Sequence, residues 1–166
     1  GYRFIASNTD RSKYYVGELN GRSSKQAYMD ALHISESNII NQTFHNPIGK
    51  MNGQDICIIS LKEVSGNGLC CYRQVNDSDV LVLLEEQDYN EILDETLQRI
   101  RRDFNHISGV FSINCVFRYL LFSQEHHMED YLKTMSTLGD HAGLIGFGEH
   151  YNQQFVNQTM TCVVFE

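Results

Sequence analysis

The segment Gly109–Phe122, GVFSINCVFRYLLF, constrains the fold more than any other stretch of the chain. It is almost wholly apolar, yet it holds Asn114, Cys115 and Arg118 within five residues. Fourteen residues are too many for one ordinary strand, which averages roughly five or six. Parity sharpens the point. Strand side chains alternate between faces, so Cys115 and Arg118, three apart, would look in opposite directions. On a helical turn, positions three apart are neighbours. The pattern predicts a strand that ends near Cys115, then a turn or short helix that sets Arg118 over the strand's C-terminal end. Ligand sites in sheets often form at such ends. A guanidinium beside a core must find an anion or carbonyls. Two plainer readings stay open: Cys115 as a small buried hydrophobe, and Arg118 as half of a structural ion pair.

A second segment, Gly143–His150, reads GLIGFGEH. Its three glycines leave room for a ligand or for another piece of backbone to come close. Glu149 shares parity with Ile145 and Phe147. If those two face the core, Glu149 points inward at the strand end and needs a cation, for which Arg118 is the candidate. The other reading ends the strand at Phe147 and leaves Glu149 in solvent. Motifs for catalysis are lacking: no Walker loop, GxGxxG, GxSxG or HExxH occurs. His126 and His127 are adjacent and cannot share a helical face, so no metal site is expected. No catalytic residue and no cofactor is predicted. A thiol enzyme built on Cys115 would require a histidine, His141 or His150, within hydrogen-bond reach.

The remaining elements follow from turn and cap signals. Strands are predicted over 2–7 and 14–19, then an Asn-Gly turn, then a helix over about 24–33 opened by Ser23 and Gln26 as a capping box. Residues 35–54 are polar, contain the one proline, Pro47, and read as a long functional loop. Strands over 55–62, 69–75 and 79–85 are separated by turn formers and suggest a meander. Asp88 and Glu91 cap the longest helix, about 89–104, whose inner stripe is Ile92, Leu93, Leu97 and Ile100. A third helix covers about 125–138, with Met128, Tyr131, Leu132 and Met135 on one face and Gly139 as its stop. Strands over 142–149 and 159–165 close the chain. Together these predict an α+β fold: a mainly antiparallel, mixed sheet with three substantial helices.

Charge and length narrow the function. The net charge is -8, and the densest basic cluster is Arg99, Arg101 and Arg102. That argues against a nucleic-acid groove or an anionic membrane surface as partner. No apolar run approaches the roughly 18 residues of a spanning helix, so no membrane insertion is expected. The five cysteines show no paired spacing, which suggests reduced thiols and a cytoplasmic home. The length of 166 residues suits one domain. A start at Gly1 rather than Met suggests a piece cut from a longer chain.

Several motifs, taken in order, resemble one family. FSINCVFR is similar to the Phe-Ser-Cys-x-x-Arg element of the FIST C-terminal domain (F-box and intracellular signal transduction), and GLIGFGEH to its Gly-Phe-x-x-x-Gly-Glu strand. VNQTMTCVVF resembles its closing Asn-x-Thr strand, VGELNGRSSKQAYMDAL its opening element, FHNPIGK its His-Pro-Leu-Gly turn, and VNDSDVLVLL its strand before the long helix. The resemblance runs from about Tyr14 nearly to the end. It implies a bacterial-type sensory input module of an intracellular signalling protein, spanning 1–166 and preceded by a FIST N-terminal domain in the full chain. It also implies a small-molecule ligand such as an amino acid, bound by Cys115, Arg118, Glu149, Asn157 and Thr159. The alternative is a protein-interaction module that docks on its own N-terminal half or on a partner protein. An exposed apolar patch would favour docking, and a polar pocket would favour sensing.

Overall fold

The computed structural model describes residues 1–151 and 154–166. The chain divides into two compact units, Gly1–Glu86 and Gln87–Glu166. The architecture is α+β, as expected.

In the first unit, β1 (Arg3–Asp10) and β2 (Tyr15–Leu19) form an antiparallel hairpin. The Asn-Gly turn forms as the sequence suggests. Asn20 and Gly21 both take positive φ, 52° and 71°, the geometry of a tight hairpin turn. It returns the chain as β3 (Arg22–Ser23) beside β2. Helix α1 (Ser24–Leu32) starts on Ser23, whose Oγ accepts from the Gln26 N–H. The capping box is only half made, because the Gln26 amide turns instead to Asp30. The helix ends at His33 in the left-handed region. Fully buried Tyr28 anchors α1, its hydroxyl donating to the Asn46 carbonyl at 2.7 Å.

The long loop is more ordered than its composition suggests. It holds a 3-10 turn over Glu36–Asn38, a short α2 (Ile39–Gln42) and a strand, β4 (Ile48–Asn52). Gly53 and Gln54 turn β4 back into β5 (Asp55–Ile58). The predicted strand over 55–62 is two strands, since the chain breaks at Ile59 and Ser60 before β6 (Leu61–Ser65). Strand β7 (Gly68–Cys71) is shorter than predicted, and β8 (Val80–Leu83) follows. The meander is corrected as well. The order is β5-β4-β8-β1-β2-β7-β6, so β8 lies between β4 and β1, far from β7. Strands β5 and β6 are the two ends of this order, yet two residues join them, so the sheet curls round on itself. Its inner side carries Leu19, Ile48, Leu69 and Leu81, each at most 2% exposed.

In the second unit, α3 (Tyr89–Asp103) is capped by Asp88, which accepts from the Asn90 and Glu91 N–H groups. Leu93 and Leu97 are buried, but Ile92 is 45% exposed and does not belong to the inner stripe. The opening segment behaves as its parity requires: β9 (Gly109–Cys115) gives way directly to α4 (Val116–Gln124). Helix α5 (Met128–Ser136) starts three residues later than predicted, after His126 takes a positive φ. Tyr131 and Met135 are buried, whereas Leu132 is 46% exposed. Strand β10 (Asp140–Gly146) pairs parallel with β9, and β13 (Met160–Phe165) pairs antiparallel on its other side. Between them β11 (Glu149–Tyr151) and β12 (Gln154–Val156) make a hairpin inside what reads as a long connection. Among the described residues the sheets are thus three rather than one. No helix among the described residues is long and apolar enough to cross a membrane.

Candidate functional site

The question posed by Asn114, Cys115 and Arg118 has a geometric answer. Strand β9 presents Val110, Ser112 and Asn114 to the face that α4 and α5 cover, and all three are buried. The switch to helix at Cys115 then brings Arg118 back over Asn114, one helical turn on. The Arg118 Nε donates to the Asn114 Oδ1 at 3.2 Å, and the Asn114 Nδ2 donates to the Tyr131 hydroxyl at 2.8 Å. The asparagine therefore uses both ends of its amide inside an apolar layer. The guanidinium carbon lies 4.8 Å from the Phe122 ring centroid and 5.9 Å from that of Tyr131, within cation–π range. Burial works against the Arg118 charge, and Tyr131, Glu149 and Cys115 support it.

Glu149 is 3% exposed. Its Oε2 accepts from the Thr159 hydroxyl at 2.5 Å, while its Oε1 is buried with no hydrogen-bond partner among the described residues. Burial raises its carboxyl above the usual range, against the opposing effects of Thr159 and Arg118. Arg118 and Glu149 thus share a field, but they make no ion pair within hydrogen-bonding range among the described residues. The Thr159 carbonyl accepts from the Cys115 N–H at 3.0 Å, which ties the last strand to the end of β9. Cys115, Arg118, Glu149 and Thr159 are accordingly gathered in one place. Asn157 stands beside Gly148, where a Cβ would come within 2.9 Å of its Oδ1.

The route by which Glu149 becomes buried differs from the expected one. Ile145 is 50% exposed and Phe147 90%, so the premise that they face the core is wrong. The strand ends at Gly146, the chain turns through Gly148 at φ 105°, and Glu149 enters from β11 instead. Two of the three glycines, Gly143 and Gly148, admit the protein's own atoms. A Cβ on Gly143 would lie 2.7 Å from the Ser112 carbonyl oxygen, and one on Gly148 would collide with the Phe155 ring.

Two residues of the polar layer, Ser112 and Tyr131, carried no functional expectation, and His141 carried one only as a partner for Cys115. Ser112 Oγ lies 2.8 Å from His141 Nε2 and 3.4 Å from the Tyr131 hydroxyl. Two polar residues at alternate positions of an apolar strand, Ser112 and Asn114, were the available signal. Cys115 is 1% exposed and its thiol makes no hydrogen bond among the described residues. The His141 Nε2 is engaged by Ser112, and no hydrogen bond joins Cys115 to a histidine among the described residues.

The titrations give two tests of this layer. Burial holds His141 below its ordinary value of 6.5. The unfolded chain therefore binds that proton first, and His141 stability, complete above pH 6.5, is lost as pH falls. His141→Gln is expected to flatten the loss of denaturant midpoint between about pH 7 and pH 5.5. Glu149 has the opposite sign. A raised carboxyl costs stability once ionised, and the cost is relieved as pH falls toward 4.5. Glu149→Gln should raise the melting temperature at pH 7 by roughly 2–4 °C, the equivalent of about 1 kcal/mol for a chain of this size. Calorimetry of the two variants across pH 4–8 checks both signs.

A family model described as the FIST C domain matches residues 25–152, well over half of the chain. No curated protein and no solved structure matches it.

Proposed function

Because the chain belongs to the FIST C domain family, we propose that it is a small-ligand-binding sensory input domain of an intracellular signalling protein, and not an enzyme. The ligand class is a free amino acid. The observation that carries this reading is the unpaired Glu149 Oε1 buried next to Arg118. The Arg118 guanidinium makes one hydrogen bond among the described residues, through Nε, which leaves the rest of its donor fork unused. A carboxylate on that fork and an ammonium against Oε1 would satisfy both groups at once. The free amino acid is the simplest molecule that bears the two charged groups on one carbon. Five free cysteines accord with a reducing, cytoplasmic location. An upstream FIST N-terminal domain is the expected covalent partner.

The test is a melting screen of the chain against each common amino acid at millimolar concentration, repeated on Arg118→Ala. A shift in the parent and none in the variant supports the site. An equal shift in both places the ligand elsewhere.

One observation favours the docking alternative. The side of the β10-β9-β13 sheet opposite α4 and α5 is apolar and open, with Leu144, Val163 and Phe165 each more than 50% exposed. The two readings are compatible. If this face seats a protein domain, Leu144→Lys with Val163→Lys should abolish association with the upstream FIST N-terminal domain and leave any amino-acid shift intact.

A further inference from the structure

A cavity of about 300 Å³ lies in the second unit between β10 and the helices α4 and α5. None of Cys115, Arg118, Glu149, Asn157 and Thr159 lines it. Its base is the polar layer: Ser112, Asn114, Tyr131 and His141. Its mouth is apolar, and Tyr119, Leu132 and Ile145 there are 38–50% exposed. We propose that this cavity is a second binding site, separate from the Arg118–Glu149 pair, for an uncharged and mainly apolar small molecule that carries one hydrogen-bond acceptor, such as a carbonyl.

Three features define the class. The first is size. The volume equals that of about ten waters, at the lower end of ordinary ligand pockets, which suits a molecule of roughly ten heavy atoms. The second is charge. No Lys, Arg, Asp or Glu lines the cavity, and burial favours the neutral form of its one titratable imidazole, His141. A charged ligand would lose its hydration there without gaining a counter-charge. The third is a donor without a good acceptor. The Tyr131 hydroxyl accepts from Asn114, so it has a proton to give. Its nearest acceptor is Ser112 Oγ at 3.4 Å, beyond the roughly 2.5–3.0 Å of a normal O–H···O bond. Ser112 is itself engaged at 2.8 Å by His141. Tyr131 is 2% exposed, so bulk water does not meet this need freely. An acceptor at the base of the cavity would, while the apolar mouth covers the rest of the ligand.

The site does not depend on the amino-acid reading, and the test separates the two. The probes are acetophenone, toluene and benzoate, each titrated into the chain by ligand-observed NMR with a melting curve alongside. Acetophenone should bind most tightly, toluene should bind several-fold more weakly for want of an acceptor, and benzoate should be weakest. Tyr131→Phe should weaken acetophenone by about three- to ten-fold, the worth of one hydrogen bond, and leave toluene unchanged. Leu132→Trp, a substitution at the exposed mouth, should block both. Absence of binding by acetophenone to the folded parent chain overturns the proposal. So does binding that survives Leu132→Trp, or a preference for benzoate. Amino-acid shifts that persist in Leu132→Trp would confirm that the Arg118 site is a different one.

Discussion

An amino acid at about 100 times its dissociation constant is expected to raise the melting temperature of this chain by roughly 5–10 °C, and Arg118→Ala to abolish the rise. A ligand that binds only the native state at that excess stabilises it by about 2.7 kcal/mol. A chain of this length gains roughly 2–4 °C per kcal/mol. The size of the effect rests on Arg118, because among the described residues the guanidinium is the one cation set over the end of β9, with Asn114 fixing its Nε. Arg118→Lys should keep part of the shift, since lysine retains the charge and loses the fork. Cys115→Ser separates this from thiol chemistry. A sensor keeps its shift, whereas a thiol enzyme would lose turnover. A silent screen in the parent chain, also after a FIST N-terminal domain is added, would remove the amino-acid reading and leave the apolar sheet face as the better guide to function.

Why Arg118 could be found from sequence, and its surroundings only in part, has a physical explanation. The break at Cys115 was legible because it is a local matter: strand length and parity exclude one continuous strand whatever lies around it. The caps on α1 and α3 are local too, and Ser23 and Asp88 act where expected. Strand β4 was missed because Pro47, Gly49 and Lys50 look like loop chemistry, and only its pairing with β5 and β8 makes it a strand. Its signal was present in Gly53-Gln54, a two-residue hairpin turn that opens on a glycine at positive φ. The neighbours of β8 depend on which edge the curled sheet brings round, which no local pattern encodes. Glu149 shows the same limit from the other side. Its burial was anticipated, but through a strand parity that the turn at Gly148 overrides. The Ser112–His141 contact comes from the parallel pairing of β9 with β10, in which Gly143 lies opposite Ser112. The Arg118–Asn114 bond, by contrast, is four residues apart in sequence.

Asn114→Leu is expected to cost about 2–5 kcal/mol, or a fall in melting temperature of roughly 5–15 °C. Leucine matches the apolar layer in size but removes an acceptor and a donor together. The Arg118 Nε would then lack its one hydrogen bond among the described residues, and the Tyr131 hydroxyl would lose the one it accepts. Each stranded group in a buried layer costs roughly 1–3 kcal/mol, more where it is charged. Asn114→Asp makes the complementary case. It keeps the acceptor for Arg118, adds a charge-assisted bond and offers the Tyr131 proton an acceptor, so its loss should be much the smaller. The two variants also differ in binding. Without Asn114 the guanidinium is free to swing onto Glu149 Oε1 and close the site, so Asn114→Leu should lose the amino-acid shift even at temperatures where it stays folded. Denaturant melts of the two variants, with and without amino acid, read both effects. A cost for Asn114→Leu within about 0.5 kcal/mol of zero, the ordinary range for surface changes, would mean that the amide is not what holds Arg118 in place.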